Sequence, residues 1–374
     1  MQPIPAALIL ALGLAACEQA PRTEPSPQPA ATPQRVGSPA AQAPATASAS
    51  DSGVTPKLAD IRIFRDWAIA CDNGGLCEAA SLAPGENGVL GTGLVVRRAA
   101  GPDGAVTVLL RKADGQVDTA TIQVDGKVVA QGRPDDDSRL LLTGDPARRL
   151  VDAMIAGRAA SIRAGEPLAL SLSGLSAAMR YADDQQGRVG TVTALVARGD
   201  RPASTVPAAP TLPVVRAAAI TTVAPEIPTA AAIAGMRRQL ECPANDFGPV
   251  SQDGYRLDAR TTLVLLSCGS GAYNMMTRPL LLRDGKLTPA PFDVAVDFGE
   301  PKPAGTPATL VNADWTAGTG ILTSWAKGRG LGDCGSLQRF AWDGARFRLV
   351  ETRSMTECRG AIDLVSVWRA NVVR

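Results

Sequence analysis

Histidine is missing from all 374 residues, and no other feature of the composition removes so much chemistry. Without imidazole there is no Ser-His-Asp or Cys-His centre, no His-ligated zinc or non-haem iron, and no axial-His haem. Catalysis would have to rest on carboxylates, lysine, a Ser-Lys pair, tyrosine or a metal held by oxygens. Lysine is scarce too, six among 38 basic residues, and 36 acidic residues bring the net charge to +2. Bulk charge therefore directs the chain toward neither nucleic acid nor an anionic membrane surface, and no nucleic-acid partner is expected. No Cys-x-x-Cys pair occurs, so no metal site and no cofactor are expected. Aromatics are only 4% of the chain, which makes each cluster of them informative.

What is present starts with MQPIPAALILALGLAAC, an apolar run of signal-peptide length and too short for a transmembrane span. Leu14-Ala15-Ala16-Cys17 has the form of a lipobox, predicting cleavage before Cys17, lipidation of its sulfur and a membrane anchor. The alternative is an ordinary secreted chain with a chance cysteine, since no Lys or Arg precedes the apolar core. Glu18, where an aspartate would favour inner-membrane retention, points to the outer membrane. Residues 18–56 are dominated by Pro, Ala, Ser and Thr and cannot bury enough surface to offset their ordering entropy, so a disordered tether is expected. Six further cysteines, Cys71, Cys77, Cys242, Cys268, Cys334 and Cys358, suit disulfides in an oxidising periplasm. Fifteen pairings are possible; proximity favours Cys71–Cys77, Cys242–Cys268 and Cys334–Cys358.

The remainder reads as an α+β protein, mostly antiparallel β, in two β-rich domains with one or two packed helices each. The first, residues 57–199, carries strand patterns over 62–71, 94–98, 105–111, 119–124, 127–131 and 190–198. Asp145 caps a helix with Pro146 at its first position, and Leu175, Ala178, Met179 and Ala182 mark a second helix. Residues 200–228, with six prolines, read as a linker. The second domain, 229–374, opens with a helix to Leu240 and continues as β. Its centre is a hairpin about Asp343-Gly344, read as a two-residue turn that sets Phe340 against Phe347, Trp342 against Ala345 and Gln338 against Leu349. One face then carries Phe340, Trp342, Phe347 and Leu349 as core, and Arg339, Arg346 and Arg348 point away.

GRGLGDCG at 328–335, AWDGARFRLVE at 341–351 and TECRG at 356–360 resemble the C-terminal signature of the bacterial domain-of-unknown-function family 1176, and FRDWAIACDN at 64–73 resembles its opening motif. The resemblance implies a bacterial envelope protein and brings no activity or catalytic residue with it. At fold level the first domain is also similar to the invasion-associated locus B proteins, exported β-proteins with the same Trp-x-x-x-Cys start.

Candidate binding residues are Tyr273, Asn274, Trp325, Arg329 and Asp333, because loops hold scarce aromatics and charges there. Asp135-Asp136-Asp137 lacks the calcium-loop pattern and reads as a solvated turn. Ser324 to Lys327 has Ser-x-x-Lys spacing but falls in a strand rather than at a helix start. The expected function is a non-catalytic binding or structural module, anchored by lipid and facing the periplasm, with an envelope protein or peptidoglycan as partner. The alternative is a carboxylate-dependent enzyme on glycan or peptidoglycan, which needs two acids in one cleft.

Overall fold

The computed structural model describes residues 56–85, 88, 91–113, 119–243, 254–296 and 306–374. Cys17 and all but the last residue of the expected tether lie outside the described residues. Apart from one short parallel pair and two isolated bridges, the described ladders are antiparallel, and three α-helices join them. The class is α+β and β-rich.

A six-stranded sheet runs in the order Arg62–Phe64, Trp67–Cys71, Cys77–Ser81, Thr92–Arg98, Val106–Lys112, Arg139–Thr143. Residues 62–71 were expected as one strand. They form two, because Arg65 adopts a left-handed backbone (φ 56°) and reverses the chain between Phe64 and Trp67. The central strands are buried on both faces, which is why WAIAC and LVV read as continuous apolar runs. The faces differ in size. Trp67, Ile69, Leu94, Val96, Val108 and Leu110 fill one core, together with the helices α1 (Gly144–Ala156) and α2 (Leu175–Gln185). A four-stranded sheet, Pro167–Leu170, Ala160–Arg163, Ala120–Val124 and Lys127–Gly132, closes that core with Ile122 and Ile162. The opposite face carries Ala68, Ala70 and Ala80, small enough to admit a second layer.

α1 begins before Asp145, which therefore sits in the first turn, where its charge meets the helix N-terminus, and not at the cap. Residues 190–198, expected as a strand, form an irregular loop. The buried Asp183 carboxylate accepts from the amides of Leu195, Val196 and Ala197 at 2.8–3.1 Å, so those donors are unavailable to a ladder.

In the C-terminal half Gly254–Arg256, Thr262–Ser270, Met275–Arg283 and Lys286–Pro289 form one sheet, with Leu310–Val311 paired to its third strand. α3 (Ala230–Gln239) covers it through Ile233 and Met236, its cap Thr229 accepting from the Ala232 amide at 3.2 Å. A second sheet follows: Asp314–Thr316, Ile321–Lys327, Gly335–Trp342, Phe347–Met355 and Val365–Arg369. Its hairpin register is Trp342 to Phe347 and Phe340 to Leu349, two residues from the expected pairing. A slip of two preserves which face each side chain takes, so Phe340, Trp342, Phe347 and Leu349 are all buried as expected. Between the halves, Val214–Arg216 pairs in parallel with Asn371–Val373.

The three disulfides are Cys71–Cys77, Cys242–Cys268 and Cys334–Cys358. No helix among the described residues is long and apolar enough to cross a membrane.

Candidate functional site: a cleft at the seam

The small face of the six-stranded sheet packs against Met355, Leu364, Val365 and Val367 from the C-terminal half, forming a third apolar cluster. Around it lie ion pairs that join distant parts of the chain. Glu78, the one charged residue of the strand Cys77–Ser81, forms an ion pair with Arg97, whose Nε lies 2.7 Å away, and accepts from Arg353 Nη2 at 2.7 Å and the Ser366 amide at 2.8 Å. Asp72 accepts the Arg369 guanidinium and the Ser366 hydroxyl. Asp66 accepts from Arg359, whose guanidinium also donates to the carbonyls of Arg65, Ala83 and Gly85. The opening FRDWAIACDN block and the closing TECRG block thus meet in space. Their polar residues are the clasp of the seam.

At the Val106–Lys112 and Arg139–Thr143 edge the packing opens into a cleft of about 650 Å³. Arg111 and Arg139 project from the six-stranded sheet, and Arg339 and Arg353 from the facing hairpin. Trp325 and Leu337 add apolar wall, and the loops 330–333 and 360–364 close the ends, contributing Asp333 and Asp363. Burial works against the Arg353 charge, but Glu78 and then Glu351 outweigh it, so its pKa is raised and it stays cationic. Burial likewise works to raise the Asp333 pKa. The Arg329 side chain and the Gly360 amide, donating at 2.7 and 2.6 Å, outweigh it and hold Asp333 below the usual carboxylate value. Arg111 Nη1 donates to Asp363 Oδ1 at 3.1 Å.

Of the five residues singled out in the sequence, Trp325 and Asp333 line the cleft. Arg329 stands behind it, pairing with Asp333 and donating to the Gly88 carbonyl at 3.0 Å. Tyr273 and Asn274 do not line it. The Tyr273 hydroxyl donates to the Gly328 carbonyl at 3.1 Å, and Asn274 exchanges hydrogen bonds with the Lys327 backbone at 2.9 and 3.1 Å, so both brace the glycine loop from outside. The loop is the tight, disulfide-ended turn expected of GRGLGDCG. Gly335 has φ 122°, and a Cβ there would lie 2.1 Å from the Ala326 carbonyl oxygen, so no other residue fits. Asp135 closes its own turn, accepting from the Asp137 and Arg139 amides. Ser324 Oγ accepts from the buried Val311 amide at 3.0 Å.

Arg111, Arg139, Arg339 and Glu78 were not singled out. Only Glu78 had a local signal, a lone acid inside an apolar strand.

Fold and site define a disulfide-stapled, mostly antiparallel α+β protein with an arginine-lined cleft where its halves meet. The chain belongs to the family described as "Protein of unknown function (DUF1176)", whose model matches residues 61–371. The "Uncharacterized protein YpfG" of Escherichia coli (strain K12) is 30% identical over 322 residues, which cover 79% of this chain and 88% of that protein. Among solved structures, the invasion associated protein b from Bartonella henselae matches at 19% identity and a TM-score of 0.27, over 34% of this chain and 99% of that one. A likeness of that size carries no argument about this fold.

Proposed function

We propose that this chain is a non-catalytic binding module of the bacterial cell envelope, tethered by lipid at Cys17 and facing the periplasm, with the seam cleft as its binding face. Three disulfides support an oxidising, exported setting. The observation that carries the non-catalytic reading is the condition of the acids in the cleft. A carboxylate-dependent glycosidase needs one acid held protonated near neutrality, by a raised pKa. Asp333 is pushed the other way by Arg329 and Gly360, and Asp363 is engaged by Arg111. An acid held ionised, as Asp333 is, suits shaping a binding site and not donating protons.

The test takes the full chain from native membranes without reduction. Peptide mass spectrometry is expected to find a lipidated Cys17 and three disulfides, and in-cell cross-linking is expected to capture an envelope component. An unmodified N-terminus with free thiols at Cys71 and Cys77 would overturn the compartment. Turnover of glycan strands or muropeptides that disappears in Asp333→Asn would overturn the non-catalytic reading in favour of the carboxylate enzyme.

A further inference from the structure

We propose that the seam cleft binds a dianionic group of the phosphate-monoester kind carried on an apolar or ring-bearing body, with Arg111 and Arg139 as its recognition pair. The inference rests on the binding-module reading above and names the chemistry of what that module takes.

Arg111 and Arg139 are direct partners across neighbouring strands, and both line the cleft. Side chains so placed stand about 5 Å apart at Cβ, and two like charges there destabilise the ladder. Among the described residues each arginine has one carboxylate partner. Arg111 Nη1 reaches Asp363 at 3.1 Å, and Arg139 Nη1 reaches Asp137 at 3.2 Å, with the two arginine side chains 35% and 43% exposed. The exposed Arg139–Asp137 pair holds weakly, so an entering anion can take Arg139 over while sharing Arg111 with Asp363.

The outer nitrogens of Arg111 are the ones open to the cleft: its Nε and the indole Nε1 of Trp325 are buried behind the lining, with no acceptor among the described residues. Among the described residues Arg339 spends Nη1 alone, on Glu351. Lys327 Nζ, outside the lining, lies 4.8 Å from the centre of the Trp325 ring. Arg353, by contrast, is spent on Glu78, Glu351 and the Leu364 carbonyl and belongs to the floor.

Planar guanidinium forks match phosphate and carboxylate oxygens in pairs. Two forks side by side suit a group that spreads two charges over three oxygens, as a phosphate monoester does. Leu337, Ile362 and Leu364 in the lining give such a group an apolar neighbour to carry into the cleft, whose volume of about 650 Å³ falls in the range of small-ligand sites.

The experiment titrates the full chain at low ionic strength with inorganic phosphate and with phenyl phosphate, read by calorimetry and tryptophan emission. Phenyl phosphate is expected to saturate one site and to bind more tightly than phosphate. Arg111→Gln and Arg139→Gln are each expected to weaken it about tenfold. Arg62→Gln, an exposed arginine at 3.8 Å from Asp60, is expected to leave it unchanged. Among the described residues Arg139 makes its ion pair with Asp137 on its own turn, so its variant tests recognition without threatening the seam.

Competition by vesicles of equal phosphatidylcholine and phosphatidic acid, against phosphatidylcholine alone, assigns the source of the group. Displacement by the former alone makes it a lipid headgroup, and no displacement by either makes it a soluble ester. No saturation by phenyl phosphate up to about 10 mM, or equal binding by both arginine variants, overturns the inference. A partner captured by cross-linking while phosphate binding fails would leave the binding module standing and remove only the ligand class.

Discussion

At Asp258 and Asp333 burial and hydrogen bonding pull in opposite directions. Burial favours the neutral acid. At Asp258 the amides of Arg260 and Thr261 donate to one oxygen at 2.9 Å, and the indole of Trp342 donates to the other at 2.8 Å. The hydrogen bonds prevail at both residues, and both pKa values lie below the ordinary aspartate value. A depressed native pKa contributes stability that is fully present above the unfolded value of about 3.9 and is lost as pH falls through the folded one. Denaturant unfolding should therefore be flat from neutrality to about pH 5 and weaken below pH 4. Asp258→Asn should cost about 1 kcal/mol at pH 7, a gap that closes in acid as the native carboxylate protonates. A gap that persists unchanged at low pH would mean that Asp258 acts by shape and not by charge.

Element by element, three Asp-Gly pairs show how far local sequence reaches. At Asp125-Gly126 (φ 49° and 77°) and Asp284-Gly285 (φ 48° and 76°) both residues are left-handed, and two-residue turns form as the pattern implies. At Asp343-Gly344 only the glycine is left-handed. The Asp343 carboxylate instead accepts from the amides of Ala345 and Arg346, both at 2.8 Å, and the loop widens to four residues. The dipeptide is the same; which hydrogen bond its side chain makes depends on the tertiary setting. Residues 190–198 read as a strand and form a loop for a similar reason, since their organiser, Asp183, lies on α2, outside the segment it shapes. The glycine loop before Cys334 was legible, and its disulfide fixes it. Cys334 and Cys358 are 24 residues apart and Cys242 and Cys268 are 26 apart, so replacing either pair with serine should cost a similar amount, about 3 kcal/mol by chain entropy. Only the Cys334/Cys358 replacement should open the chain to trypsin after Lys327 or Arg329. Equal nicking in both variants would show that Asn274, not the disulfide, holds that loop.

For the molecule as a whole, the seam is the unit that local sequence hid. Glu78, Asp72 and Asp66 stand in the first half and Arg353, Arg369 and Arg359 in the second, paired across more than 270 positions. No periodicity reports such a partner. The cleft was hidden for the same reason: Arg111 and Arg139 are ordinary alternate positions on strands until their pairing makes them neighbours. The clasp makes a specific demand on stability. The Glu78 side chain is 2% exposed and balances two arginines, so Glu78→Gln leaves buried positive charge without its counter-ion. A loss of about 3–5 kcal/mol is expected, read by calorimetry as unfolding at a lower temperature than in the parent protein. The cost should come from the stranded charge rather than from the lost bond. Removing the partner as well, in Glu78→Gln/Arg353→Met, should therefore recover part of it, because a methionine can pack beside Leu364 and Val365. If the double variant is instead as unstable as the two single losses added together, the seam depends on the Arg353 hydrogen bonds to Leu364 and Glu351, and the apolar cluster alone does not hold the halves in register.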